Sequence, residues 1–214
     1  MSLNLRKISN MKTIIAQSLL KSIPYSEYRK RITELLLQNK STGNEQSDDL
    51  LQYSKLNDTR MNRLDKTIRI EEKVLKSFNS LKKKYYWLVI SESWCGDAAQ
   101  LIPVFNKIAN ESESIELRLI FRDENEALMN LFLTNGSKSI PKIIILEKET
   151  MQLKGSWGPR PEGAVNLIKS YKEQYGIVDE TAKTDLQLWY LHDKGLSTQN
   201  ELATLMRDLE QLAN

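Results

Sequence analysis

Between residues 11 and 37 apolar side chains return at helical intervals, first Ile14, Ile15 and Leu19, then Ile32, Leu35 and Leu36. Pro24, followed by Tyr25-Ser26-Glu27, divides this stretch into two helices. Residues 39–48 are polar and contain Ser41-Thr42-Gly43-Asn44, a loop signal, after which Leu50, Leu51 and Tyr53 resume an apolar face. Helical spacing continues over 56–66 and 68–81, and Lys82-Lys83-Lys84 supplies cations suited to a helix C-terminus. Residues 85–90 then form an almost uninterrupted aromatic and β-branched run, as expected for a strand covered on both faces.

Beyond it, Ala98, Leu101, Ile102 and Phe105 predict a helix over 97–109, residues 115–121 alternate as a strand, and 127–133 read as helical up to Asn135-Gly136. Pro141 precedes an apolar strand at 143–146, with which 153–157 pairs as a hairpin. Ala164, Leu167, Ile168 and Tyr171 place a helix over 161–175. Two last helical stretches, 185–192 and 198–212, flank Asp193-Lys194-Gly195, with a glycine C-cap and an N-cap at Ser197 or Thr198. The element order predicts an α/β fold, a three-layer arrangement around a mixed central sheet, with additional helices at both ends.

The chain has 214 residues, enough for one domain of ordinary size with extensions. Its 31 basic and 28 acidic side chains leave a net charge of +3 spread along the sequence, which argues against nucleic acid as a partner. A single cysteine rules out an intramolecular disulfide and points to a reducing, cytoplasmic setting. The apolar stretch starting at Met11 has the outline of an export signal, but Gln17, Ser18 and Lys21 interrupt it. No segment approaches the roughly 18 apolar residues of a membrane helix, so a soluble protein without membrane partners is expected. Residues 1–10, polar and basic, read as a flexible tail.

The one cysteine, Cys95, stands in Ser93-Trp94-Cys95-Gly96-Asp97-Ala98, at the exit of a strand and the start of a helix. Unpaired backbone amides and the helix dipole lower a thiol pKa at such a position, whereas the Asp97 carboxylate opposes a second negative charge. Which effect wins decides between an activated nucleophile and a small, partly buried cysteine, and the sequence leaves both open. His192 is the only histidine, which excludes a multi-histidine metal centre, and its apolar surroundings favour packing. No metal or cofactor is expected. Arg160, in Gly158-Pro159-Arg160-Pro161, is a candidate anion or partner contact in what reads first as a rigid turn. Arg60 and Arg63 share one helical face and read as solvated or locally paired.

The run around Cys95 resembles the Trp-Cys-Gly-Pro-Cys active site of thioredoxins with its second cysteine replaced by Ala98. Pro103, eight residues after Cys95, and Ile140-Pro141, forty-six residues after Cys95 at the proline, strengthen the likeness. Outside this core, Glu27-Tyr28-Arg29, Thr42-Gly43, Tyr53-Ser54-Lys55-Leu56-Asn57, Arg60-Met61-Asn62-Arg63 and Trp157-Gly158-Pro159-Arg160-Pro161 are similar to a bacterial thioredoxin-like family carrying helices before and after the fold. The resemblance implies a helical N-terminal extension over 11–66, a thioredoxin-like domain over 67–175 and a C-terminal helical hairpin over 176–214. It implies a cis bond before Pro141, and a substrate groove built from Trp94, Gly96, Asp97, Ala98, Ile140 and Pro141. The buried acid that thioredoxins place six residues before the nucleophile is here Val89. Without a second thiol, Cys95 as catalyst would attack a disulfide-bearing substrate and need an external thiol to resolve the mixed disulfide, or act as a peroxide-reactive thiol. The alternative is a non-catalytic module that recognises an extended peptide or protein. Oligomeric state is open.

Overall fold

The computed structural model describes residues 2–211, with side chains from residue 8 onward. Its central sheet has four strands, β1 (Tyr85–Ser91), β2 (Ile115–Phe121), β3 (Lys142–Glu147) and β4 (Leu153–Trp157), in the order β2-β1-β3-β4. β1 runs parallel to β2 and antiparallel to β3, and β3 and β4 form the antiparallel hairpin expected from the sequence, with a register shift between Ile145 and Leu146. β1 lies at the centre, and Trp87, Leu88, Val89 and Ile90 are all fully buried, so both faces of the strand are covered. Trp87 meets Phe78 and Phe105 edge-on, and Phe105 in turn meets Trp157, an aromatic chain through the core.

Four helices precede the sheet: α1 (Ser2–Lys21), α2 (Tyr25–Leu37), α3 (Asp48–Thr67) and α4 (Glu72–Asn79). α1 begins at Ser2, so the helix takes in the stretch that reads as a tail; Met1 lies outside the described residues. Between α1 and α2, Ile23 bridges antiparallel to Leu119 on the edge of β2, and the Arg118 guanidinium donates to the Ser22 carbonyl. The extension is thereby fastened to the sheet edge. α2 closes over β2 through Tyr28, which stacks on Phe121 with ring centroids 5.2 Å apart. α4 ends at Asn79, short of the three lysines. The backbone amides of Lys82 and Lys83 donate instead to the Glu210 carboxylate, and the Lys83 ammonium pairs with Glu147.

Within the core follow α5 (Gly96–Glu111), a single turn α6 (Glu126–Met129) and α7 (Glu162–Tyr175), and the chain closes with α8 (Glu180–Asp193) and α9 (Leu196–Gln211). Pro103 sits inside α5, buried. α9 starts one residue before the expected caps, because Asp193 reaches forward to accept from the Ser197 amide and hydroxyl. Leu212, read as the end of this helix, lies outside the described residues. α3 packs along α5 from one side, while α8 packs on α7 and α9 on α4, α5 and β4. The two extensions therefore meet the core on either side of the β1–α5 junction that carries Cys95. Among the described residues no helix is long and apolar enough to cross a membrane.

Candidate functional site

Cys95 is the N-cap of α5, with extended backbone dihedrals that let its side chain fold back over the first turn. Its Sγ accepts from the Ala98 amide at 3.5 Å and donates to the Ile140 carbonyl at 3.3 Å. A carbonyl oxygen has no proton to give, so this second contact requires the protonated thiol. Burial, followed by the charge of Asp97, pushes the Cys95 pKa up to about 12, against the lowering effect of the Ala98 and Asp97 amides and of Arg160. The helix N-terminus is present and is outweighed.

Asp97 is itself buried and fully occupied. One carboxylate oxygen accepts from Arg160 Nε at 2.8 Å and faces Arg160 Nη2 at 2.7 Å, and the other accepts from the Tyr190 hydroxyl at 2.8 Å. Arg160 comes from the β4–α7 connection and Tyr190 from α8, so the acid beside the cysteine ties the C-terminal hairpin to the Cys95 turn. Arg160, in a stretch that reads first as a rigid turn and only second as an anion or partner contact, thus spends two of its donors on an internal carboxylate. The peptide bonds Ile140–Pro141 and Gly158–Pro159 are both cis. The Gly158 backbone lies against Pro141, where an added Cβ would come within 2.4 Å of the Pro141 carbonyl oxygen.

The N-terminal extension grips the same turn from the other side. The Ser93 amide donates to Thr42 Oγ1 at 2.8 Å, while the Thr42 amide and hydroxyl both donate to Ser93 Oγ, at 3.1 and 3.0 Å. With two protons already arriving, Ser93 Oγ sends its own to Ser54 Oγ, 2.8 Å away on α3. Asn57, one turn further along α3, donates to the Ser93 carbonyl at 2.8 Å, and Arg60 donates to Asn57 Oδ1 at 2.9 Å. Thr42, Ser54, Asn57 and Ser93 are all buried, so this polar cluster is closed to water and internally satisfied. Gly43, at φ +92°, carries the loop past Asp123 and the Trp94 indole nitrogen with no room for a side chain.

Above this turn lies a cleft of about 580 Å3 whose walls are α3 and α8. Trp94, Cys95, Gly96, Asp97 and Arg160 line its floor; Leu50, Tyr53, Leu56 and Arg60 form the α3 wall, and Lys183, Leu186 and Gln187 belong to the α8 wall. Lys183 lies over the Tyr53 ring, 5.8 Å from its centroid, joining the walls across the cleft. Ala98, Ile140 and Pro141 are buried and do not line it. Of the groove drawn from the resemblance, Trp94, Gly96 and Asp97 line the cleft, while Ala98, Ile140 and Pro141 lie buried behind it, the Ile140 carbonyl turned to the sulfur. Sequence reasoning passed over Tyr190, Leu186 and Gln187 because they sit some ninety residues downstream of Cys95. Tyr53, Leu56 and Arg60 stand in motifs it had already marked. Among the described residues no cluster of three or more histidine, cysteine, aspartate or glutamate side chains is placed to hold a metal ion.

A central parallel β1–β2 pair, an antiparallel β3–β4 hairpin and a cysteine capping the helix after β1 define a thioredoxin-like fold with a single-cysteine site. The chain belongs to the thioredoxin family: the family model described as Thioredoxin matches residues 43–172. A protein of unknown function from Pseudomonas aeruginosa, PA1234, is similar in structure, with a TM-score of 0.55 and 14% identity over 72% of this chain and 85% of that one. An HIV epitope scaffold is similar with a TM-score of 0.53 and 17% identity, over 87% of this chain and 99% of the scaffold. At these identities the likeness is one of fold alone. No curated protein matches the chain.

Proposed function

We propose that this protein is a binding module on a thioredoxin scaffold, in which the cleft between α3 and α8 holds its ligand without covalent chemistry and Cys95 serves as a protonated cap of α5. The observation that carries this reading is the bonding of the sulfur, a thiol donating to Ile140 beside an Asp97 carboxylate that Arg160 and Tyr190 hold in place. Burial and the Asp97 charge hold its pKa well above the ordinary thiol value, so the thiol stays protonated at neutral pH, and the thiolate is the attacking species in exchange. The replacement of the resolving cysteine by Ala98, itself buried, fits the same reading.

One observation favours the other reading, monothiol exchange: Cys95 lines the cleft floor. There the thiolate would attack a substrate disulfide, expel one of its sulfurs as a thiolate, and be released from the mixed disulfide by an external low-molecular-weight thiol. The two readings separate in the pH dependence of Cys95 alkylation by iodoacetamide, with Cys95→Ser as blank and unfolded protein as reference. The binding reading expects native labelling to be much slower than in the unfolded chain and to show no ionisation step below pH 10. An ionisation step below pH 8 with fast labelling would sink it and restore exchange.

A further inference from the structure

Arg60 and Arg63 are three residues apart on α3 and face the same way. Beside the cleft over Cys95 lies a second cavity of about 340 Å3, also walled by α3 and α8 and lined by both arginines. The two cavities share Arg60, Thr184 and Gln187, so together they form one cleft with a neck.

The neck has donors without acceptors. Arg60 is half-buried and gives one Nη1 hydrogen bond to Asn57. Burial and the like charge of Arg63 both disfavour its cation. Among the described residues no carboxylate pairs with either arginine. Gln187 has its carbonyl oxygen taken by Gln100 at 2.8 Å, which leaves its amide NH2 free to turn toward the neck. This NH2 and Arg60 Nη1 converge above Gly96, 3.4 and 3.9 Å from the point a Cβ would occupy. The acids of the cleft are already spent, Asp97 on Arg160 and Tyr190, and Glu180 on Lys183.

Two like charges held together without a counter-ion cost free energy that a bound anion recovers. On either side of the neck the walls expose large apolar side chains, Tyr53 and Leu56 on α3, Leu188 and Leu191 on α8. We infer that the neck is a carboxylate site, and that the cleft takes a small molecule with an apolar body ending in a carboxylate. A guanidinium fork and a planar amide match a planar two-oxygen acceptor, and the apolar walls match the body. This deepens the binding reading proposed above and rests on it.

The test is calorimetric titration of the full chain with octanoate, octanol and inorganic phosphate, repeated on Arg60→Gln and on the exposed-site variant Arg63→Gln. Octanoate is expected to bind at least tenfold more tightly than octanol or phosphate. Arg60→Gln is expected to weaken octanoate about tenfold and leave octanol unchanged, and Arg63→Gln to weaken octanoate by a smaller factor. Should Arg60→Gln fail to fold, the Arg63→Gln and octanol arms still decide. Octanoate and octanol binding equally, phosphate binding as tightly as octanoate, or octanoate indifferent to both substitutions would each overturn the inference. Such a failure leaves Cys95 slow to alkylate and the binding module standing. Fast alkylation at neutral pH would instead remove the parent reading, whatever octanoate does.

Discussion

The Arg160 guanidinium closes on Asp97 through Nε at 2.8 Å and Nη2 at 2.7 Å, and in doing so fixes a negative charge two residues from the only thiol in the chain. In isolation a thiol at a helix N-terminus gains acidity. Here the same helix carries the acid that opposes ionisation, and a cation that would otherwise favour the thiolate is engaged by that acid. The electrostatics of Cys95 are thus set by the β4–α7 connection and α8 as much as by its own helix.

Asp97→Asn follows directly from this arrangement. It removes the carboxylate charge beside the sulfur and frees Arg160 to act on it, and both changes stabilise the thiolate. The Cys95 pKa is expected to fall by at least about one unit, a tenfold faster alkylation at fixed pH below that pKa. It stays above the ordinary thiol value near 8.5, because burial is the larger cause and is untouched. Iodoacetamide rates against pH read this, and an unchanged pKa would show that the Asp97 charge does not reach the sulfur.

Arg160→Met leaves the buried Asp97 carboxylate with Tyr190 as its remaining side-chain donor. Breaking one side of a buried pair costs about 3 kcal/mol, whereas removing both partners costs much less. Urea unfolding should therefore place Arg160→Met well below wild type and the double variant Asp97→Asn, Arg160→Met between them. Additive losses would mean that the pair contributes no coupling.

How this site is built explains why so much of the fold and so little of the chemistry was legible in the sequence. β1 announces itself as a continuous apolar run because both its faces are buried, β3 does so for the same reason, and β2 alternates along its first half where one face is better covered than the other. The three lysines after α4 mislead because the backbone amides of the first two, Lys82 and Lys83, meet Glu210, 128 and 127 residues away, instead of the helix end. The state of Cys95 depends on partners still less visible. Arg160 and Tyr190 reach Asp97 across 63 and 93 residues, and no local pattern encodes that meeting. Arg60 reads as solvated or locally paired, and it does bond Asn57 on its own helix, but only the packing of α8 beside α3 makes its surroundings concave.

Ser93→Ala probes the grip of the N-terminal extension. The substitution keeps the backbone bonds of Ser93 with Thr42 and Asn57 but leaves the Thr42 amide and hydroxyl and the Ser54 hydroxyl without their common partner. Buried polar groups so stranded cost about 2 kcal/mol or more in total. Amide hydrogen exchange should locate the loss in the loop around Thr42 and in α3, with β1 and β3 protected nearly as before. A loss spread evenly over the sheet would mean that Ser93 supports the core instead of the extension.

Gly158→Ala tests the close approach behind the sulfur. At φ +112° the backbone disfavours any L side chain, and a Cβ would stand 2.4 Å from the Pro141 carbonyl oxygen, a backbone atom that cannot swing away. A loss of about 3 kcal/mol or more in urea unfolding is expected. A change below about 1 kcal/mol would show that this stretch relaxes at little cost.

Glu92 gives the pH dependence of the fold. Its carboxyl is fully buried three residues before Cys95; one oxygen accepts from the Asp123 amide at 2.9 Å and the other has no hydrogen-bond partner. Burial, partly offset by the Asp123 amide, pushes its pKa up to about 7. The native state therefore holds a proton that the unfolded chain releases near its ordinary value of 4.5. Between those values the folded form binds more protons, so stability falls as pH rises. The contribution of Glu92 is full below pH 4.5 and lost by about pH 7, a difference of about 3 kcal/mol at most. Glu92→Gln keeps an oxygen for the Asp123 amide and carries no charge at any pH. Urea unfolding from pH 4.5 to 8 should thus show the wild type losing stability relative to Glu92→Gln across pH 5–7. Parallel profiles would mean that Glu92 titrates at the same pH in the folded and unfolded chain, and that the buried carboxyl is ionised at neutrality through a partner it acquires in solution.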